Sequence, residues 1–531
     1  MFYRKKKKKA LLINSFGQLK EDSFDFSFIQ DYFRKKQNPQ VLQILSDKTC
    51  NDLDFDELFM FLDRTHSKIG QQFLYNKLRT IPVSSDKNVK LESIINKFLT
   101  DPEFRVNIQQ QLEKLNSIQT FYVNTLFQDE HLKKPKWFFI VPLLSVICLL
   151  SIIFAFVYNV MLFVIAVIFI VNMGIYYWNK SNLYIYLGSI PQLLRLNVVA
   201  RNFLKHDIFQ DIDLNISESI KSIDKVRNRM TSFKLQLQLE TPAEMVFGFI
   251  FEVFKILFLV EPIMLFEAIS QLDSRRKEIE AVFSFVGEID CCISVASLRT
   301  SLTEYCYPFI NTEKTISFQN MVHPLIYECI PNDLHVDKKS ILLTGSNMSG
   351  KTSFIRAIGI NIITGLTINT CFAKSFSFPR LKIYSAIRIN DDLMNDKSYY
   401  FEEVLTIKEM IDEGKKGIMN LFLLDEIFKG TNTVERISAG KAVLSYLKNL
   451  DNIVFVSTHD IELADLLKKE YELFHFSELV NNKTVDFDFK LKPGKLKLRN
   501  AIRILQINGY PDSIISEATE ISNYFDLVKS V

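Results

Sequence analysis

The segment Gly345-Ser346-Asn347-Met348-Ser349-Gly350-Lys351-Thr352 satisfies the pattern G-x-x-x-x-G-K-[ST]. Residues of these types at this spacing hold phosphate. The glycines let the backbone curl until its N–H groups converge on phosphate oxygens. Lys351 adds a point charge for the β- and γ-phosphates, and the Thr352 hydroxyl can ligate Mg²⁺. Residues 345–353, Ser353 included, are the expected nucleotide-binding stretch. Glycine is scarce, 16 of 531 residues, so a motif that uses two is informative.

Two downstream segments complete a reaction. Leu421-Phe422-Leu423-Leu424 runs apolar into Asp425-Glu426. Asp425 is placed to hold Mg²⁺ and Glu426 to orient and deprotonate an attacking water. Ser457-Thr458-His459-Asp460 closes another apolar run, where His459 could sense the γ-phosphate. The set implies ATP and Mg²⁺ as cofactors and hydrolysis of ATP to ADP and phosphate.

The elements that position these residues follow from texture. Ile341-Leu342-Leu343 before the phosphate loop predicts a buried strand, and Ser353 onward predicts a helix. From about Thr315, short β-branched runs alternate with helical patterns: Ser340–Thr344, Gly417–Leu424 and Asn452–Ser457. That alternation predicts an α/β domain with a mainly parallel sheet. Residues 53–80, 205–240 and 266–302 carry helical spacing instead.

From Trp137 to Trp178 there is no charged residue. A membrane-spanning helix takes about 20 apolar residues, and this run holds two such lengths around Tyr158-Asn159. Trp137, Tyr176, Tyr177 and Trp178 mark its ends as an interfacial belt would. Lys133, Lys134 and Lys136 precede it and Lys180 follows, which predicts a hairpin with both flanks in the cytoplasm. Val246–Leu265 is apolar too, but Glu252, Lys255, Glu261 and Pro262 predict a buried or interfacial helix of the soluble part. The basic start, Arg4 to Lys9, lacks the long apolar region of a signal peptide. It reads as a solvated tail, with an anchor on anionic headgroups as the sharper alternative. Seven scattered cysteines without ligand spacing argue against a disulfide framework or zinc. A net charge of +3 confines any nucleic-acid contact to local patches.

The motifs together resemble the MutS family of DNA mismatch-repair ATPases. Thr344–Thr352 is similar to T-G-P-N-M-G-G-K-S, departing at Ser346 and Ser349. Leu424-Asp-Glu-Ile-Phe-Lys-Gly-Thr-Asn-Thr433 is similar to L-D-E-I-G-R-G-T-S-T, the most family-specific block. His323-Pro324, Pro331-Asn332-Asp333-Leu334, Asp391-Asp392-Leu393 and Ser398–Glu403 also match, as do Asn500-Ala501 and Gly509-Tyr510-Pro511. Leu62–Gly70 with Leu78-Arg79 resembles the start of the helical lever core, and 246–302 its return. The resemblance implies a homodimer in which Ser398 reaches, in trans, the γ-phosphate held by the partner subunit. It also implies that the mismatch-reading domain is missing, since the similarity starts near the core. Phe55-Asp56-Glu57 fits the family's Phe-x-Glu wedge only by coincidence.

The expected fold is α plus α/β: a helical lever domain interrupted by a transmembrane hairpin, then a P-loop, ABC-like ATPase domain. The expected segments are a basic tail 1–40, first core half 41–132, hairpin 133–180, second core half 181–312, ATPase domain 313–495 and dimer segment 496–531. The expected location is the inner (cytoplasmic) membrane, with the ATPase domain in the cytoplasm. Two functions fit: an ATP-driven dimeric clamp on mismatched or structured DNA, or a membrane-tethered switch acting on a protein partner. Lys205, Lys221, Lys225, Arg227, Arg229 and Lys234 are the candidate DNA-facing cations. A transporter is disfavoured by the single hairpin and by Gly430-Thr431-x-Thr433.

Overall fold

A computed structural model describes residues 2–36, 41–84, 86–230, 252–346, 348–388, 399–480, 485–496 and 501–529. They form a helical body and sheets of mixed direction. The chain divides into two compact units, one of Met1–Pro39, Leu62–Lys77 and Lys90–Ser301, the other of Gln40–Phe61, Leu78–Val89 and Leu302–Val531.

The first unit is helical. Its long elements are α1 (Ile140–Phe154), α2 (Val160–Phe203), α3 (Val260–Asp273) and α4 (Arg276–Ser301). α1 and α2 pack side by side, and the chain reverses between Phe154 and Val160. Among the described residues, three stretches are long and apolar enough to cross a membrane: Lys136–Phe154, Val160–Lys180 and Arg276–Ser301. The segment 246–265, expected to be a helix of the soluble part, packs on the hairpin: Phe138, Val141, Leu259 and Phe266 form one buried cluster. Residues 246–251 of that segment lie outside the described residues. α2 continues past Lys180 to Phe203, so the charge-free run ends inside a helix rather than at its terminus.

α4 is the spine of this unit. Its Asp290 accepts hydrogen bonds from the His66 and Ser67 amides (2.9 and 2.8 Å) and from the Ser67 hydroxyl (2.6 Å). Gly70 is required there, because a Cβ would fall inside the Asp290 carboxylate. Burial lowers the His66 pKa to about 4, so this histidine is neutral structure. The residues read as a solvated tail form a helix over Phe2–Asn14, with Leu12 buried, and Ile29 and Tyr32 are fully buried further on. The lysine run dominates the composition, but apolar residues spaced around it have partners in the fold.

In the second unit, β1 (Ser340–Thr344), β2 (Lys382–Ala386), β3 (Asn420–Asp425), β4 (Asn452–Thr458), β5 (Tyr471–His475) and β6 (Lys492–Pro493) form one sheet, ordered β6-β5-β1-β4-β3-β2. Neighbours are parallel except β6, which runs antiparallel to β5. β1 and β4 are buried along their whole length, as strands covered on both faces must be. A four-stranded sheet holds Pro308–Asn311, Thr315–Met321, Asn332–Asp337 and Ser375–Pro379.

Residues 41–61, expected in the helical core, belong instead to this unit. Gln43 exchanges two 2.7 Å hydrogen bonds with the Ile383 backbone, and buried Asp52 accepts from the Ile387 and Arg388 amides. Such long-range polar ties leave no trace in hydrophobic periodicity. Phe55 is buried here, so it cannot serve as a wedge.

Candidate nucleotide site

The phosphate loop leaves β1 at Thr344 and enters α5 (Lys351–Ile368). Gly350 caps this helix with φ +100°, a conformation that disfavours side chains, and a Cβ there would meet the Phe489 ring at 3.2 Å. Lys351 is buried and donates to the Gly345 and Ser346 carbonyls, both at 2.8 Å. Burial lowers its pKa to about 8 against the pull of Glu426 and Asp425.

Strands β3 and β4 lie side by side and deliver the downstream residues to this loop. Asp425 ends β3, and one of its carboxylate oxygens accepts from Thr352 Oγ1 at 2.7 Å. The other accepts from Ser457 Oγ on β4. Glu426 follows with φ +52° and is bridged by His459 Nε2 and by Lys429 Nζ (2.7 Å). Burial alone would raise its carboxyl; the His459 and Lys429 hydrogen bonds overcome that and hold it at about 2. Asp460 takes a two-pronged contact from Arg436 (2.9 and 2.8 Å), fixing the turn that carries His459.

The structure therefore gathers Lys351, Thr352, Asp425, Glu426 and His459 at one loop. Thr352 and Asp425 offer paired hard oxygens. Among the described residues no group of three His, Cys, Asp or Glu forms a cage. That donor set fits Mg²⁺, which keeps several waters and takes phosphate oxygens for the rest of its shell.

A cavity of about 350 Å³ opens beside the loop. Its lining holds both polar groups, Lys351, Thr352 and Glu426, and apolar ones, Met321, Tyr327 and Phe489. A flat base with a polyphosphate needs both kinds of lining. Sequence reading did not single out Phe489, nor Glu478, which accepts a hydrogen bond from the loop's Ser346 hydroxyl. Asn332 ties down the strap Phe489–Leu491, donating to Phe489 O (3.0 Å) and accepting from the Leu491 amide (2.7 Å). The only sequence signal was the Pro331-Asn332 pair.

Residues 341–526 match the family model MutS domain V. The DNA mismatch repair protein MutS of Petrotoga mobilis is 31% identical over 279 residues, 49% of this chain and 33% of the relative. That of Carboxydothermus hydrogenoformans is 28% identical over 271 residues (48% and 32%), and that of Aquifex pyrophilus 26% over 258 (46% and 30%). The C-terminal part of the chain is thus similar to the MutS family. The chain spans about a third of the length of these curated relatives.

The MutS-like block around Gly430 is a turn that leads into a helix. The Asn432 side chain caps Thr433–Asn449 by accepting from the Glu435 amide, and Thr431 Oγ1 donates to Glu435 (2.7 Å). The buried Glu403, from the stretch similar to the MutS S-T-F-x-x-E, accepts from the Phe428 amide and so shapes the loop after Glu426. Asn347, Asp391-Asp392-Leu393, Ser398, Asn500 and Lys234 lie outside the described residues, as do the side chains of Arg227 and Arg229.

Proposed function

We propose that this protein is a MutS-type ATPase held on a membrane by the helical hairpin of α1 and α2. One observation carries the catalytic part: Thr352, Asp425 and Glu426 meet at the phosphate loop of a MutS domain V. Lys351 would exchange its loop carbonyls for β- and γ-phosphate oxygens. Glu426 would leave His459 and Lys429 to orient the attacking water and take its proton. Thr352 and Asp425 would hold Mg²⁺, which neutralises phosphate charge when bound with ATP. His459, released from Glu426, would meet the γ-phosphate.

The resemblance implies a homodimer, with Ser398 of one subunit completing the site of the other. The relatives' name, DNA mismatch repair protein, supports DNA, mismatched or structured, as the partner between the levers, in a repair-related role. The exposed hairpin favours the second reading, a tethered switch that moves a protein partner at the inner membrane. Salt-dependent binding of the purified protein to a duplex separates these two.

The deciding experiment measures nucleotide binding and turnover side by side. Lys351→Ala should lose binding. Glu426→Gln should keep binding and lose turnover by about 100-fold or more. Parent-rate hydrolysis by Glu426→Gln would remove the catalytic assignment. For the dimer, mixing inactive Lys351→Ala and Ser398→Arg subunits should restore activity, since one shared site then carries neither defect. No recovery in proven heterodimers would place the site in one subunit.

A further inference from the structure

Two cysteines far apart in the sequence meet in the second unit. Cys306 and Cys371 form an isolated antiparallel bridge, just before the paired strands Pro308–Asn311 and Ser375–Pro379. The Cys306 amide donates to the Cys371 carbonyl at 3.0 Å, and the Cys371 amide donates to the Cys306 carbonyl at 2.9 Å. Residues that exchange both bonds have Cα atoms about 5.5 Å apart. A disulfide joins Cα atoms about 4.4–6.8 Å apart. Both cysteines are free, and their thiols are hydrogen-bonded to each other. The backbone is already placed for a bond between them.

The two sulfurs differ in their surroundings. Cys371 is fully buried, and its sulfur lies 3.4 Å from the Asn361 carbonyl oxygen of α5. A Cβ at Gly365 would come within 2.9 Å of that sulfur, so the glycine makes room for it. The Asn361 side chain fixes the segment, accepting from the Phe372 amide (2.6 Å) and donating to the Val322 carbonyl (3.2 Å). Cys306 is half-buried, open to a small oxidant. The hydrogen bond with Cys371 lowers its pKa, and the Phe376 amide acts in the same direction, against burial and the Glu304 charge. Burial raises Cys371 well above the ordinary thiol range, and the bond with Cys306 adds to that. An accessible thiolate with a buried thiol held against it is the arrangement of a redox-sensing pair.

The other cysteines are placed differently. Cys50, Cys148, Cys291 and Cys292 are buried. Cys329 is half-buried like Cys306, but no strand bridge sets a second cysteine opposite it among the described residues. It is the internal control for exposure alone.

We propose that Cys306 and Cys371 are a reversible disulfide pair, oxidised by hydroperoxides. The Cys306 thiolate attacks the O–O bond and keeps one oxygen as a sulfenic acid. The other oxygen leaves as hydroxide or alkoxide and recovers the proton that Cys306 gave up. The Cys371 thiol then attacks the Cys306 sulfur. The S–S bond forms, the S–O bond breaks, and hydroxide leaves with the Cys371 proton as water. Each sulfur gives up one electron, and the peroxide takes the two. A thiol of the glutathione or thioredoxin class reverses the bond by exchange. Where such a pool keeps cysteines reduced, disulfides are transient and redox-sensing. The closed loop, residues 306–371, contains β1, the phosphate loop and α5. The bond therefore restrains the element that carries Lys351 and Thr352, whether or not ATP is hydrolysed there.

The test is non-reducing peptide mapping by mass spectrometry of the full chain, exposed to hydrogen peroxide and then alkylated. One linkage, Cys306 to Cys371, should appear, lighter than the two reduced peptides by two hydrogens, and dithiothreitol should remove it. Cys329 should stay reduced through the same exposure. Cys371→Ser should abolish the linkage and leave Cys306 as a sulfenic acid that dimedone traps. Cys306→Ser should abolish both products. The linked parent should melt about 5–10 °C above the reduced one, as closure of a long loop implies. The mapping and the melting comparison use the parent alone, so they stand even where a variant fails to fold. Oxidation of Cys329 ahead of the pair, or Cys306 carried to sulfinic acid with no linkage, would overturn the proposal. An unchanged midpoint in fully linked protein would overturn the restraint on α5.

Discussion

Two of the three long apolar helices differ from the third in what surrounds them. In α4, 89% of the apolar window is buried inside the protein; in Lys136–Phe154 and Val160–Lys180 the shares are 22% and 17%. α4 also carries Glu288 and Asp290, each answered by a protein partner: Lys77 at 2.7 Å for the first, Ser67 and the His66 amide for the second. The other pair carries no charge between Trp137 and Trp178 and turns Phe156 (91% exposed), Phe163 (73%) and Ile170 (70%) outward. Length and apolarity select all three. Neighbours separate them: α4 finds its apolar surroundings within the chain, and the hairpin must find them elsewhere.

The largest break in this comparison comes from the hairpin. Deleting residues 137–178 should move the protein wholly from the membrane to the soluble fraction in a flotation assay. Arginines in mid-helix, Val146→Arg with Ile170→Arg, should act in the same direction. Each costs about 2.5–3.5 kcal/mol in a bilayer, and neither position packs inside the protein. Unchanged flotation of the deleted protein would show that the hairpin is not what holds it.

A single residue type sharpens the contrast. Phe283 in α4 is fully buried and Phe163 in α2 is exposed. Phe283→Ala should cost about 3–5 kcal/mol, read as a lowered denaturation midpoint. Phe163→Ala, measured the same way in detergent, should leave that midpoint almost unmoved. Equal losses would mean that α2 has a protein partner.

The smallest effect is expected at the nucleotide site, where polar contacts rather than burial do the sorting. Glu426 is held at about 2 by His459 and Lys429. A carboxyl with a depressed folded pKa stabilises above its unfolded value, near 4.3, and loses that contribution as pH falls toward 2. His459→Ala removes the first of those hydrogen bonds, so the Glu426 pKa should rise. The acid limb of kcat/KM should then move to higher pH in the variant. An acid limb that stays in place would mean that Glu426 is not bridged by His459 in the free enzyme.

Much of the site was legible because its signals are local. The phosphate loop, Asp425-Glu426 and His459 each sit at the end of an apolar strand, and that pattern survives in one dimension. Phe489, Glu478 and the Cys306–Cys371 bridge were not legible. Each depends on a partner far along the chain: Asn332 for the strap, Cys371 for Cys306. The same physics hid the place of residues 41–61, which the hydrogen bonds of Gln43 and Asp52 fix. Helical spacing identified α4 correctly, yet only burial distinguishes it from the hairpin.

The chain has two tryptophans, Trp137 and Trp178, and both stand at the foot of the hairpin. Intrinsic tryptophan fluorescence of the full-length protein in liposomes therefore reports this place alone. If the hairpin is embedded, emission is blue-shifted, quenched by lipids brominated near the headgroup end of the acyl chain, and shielded from aqueous iodide. Emission that iodide quenches freely and brominated lipid leaves unchanged would contradict the membrane reading.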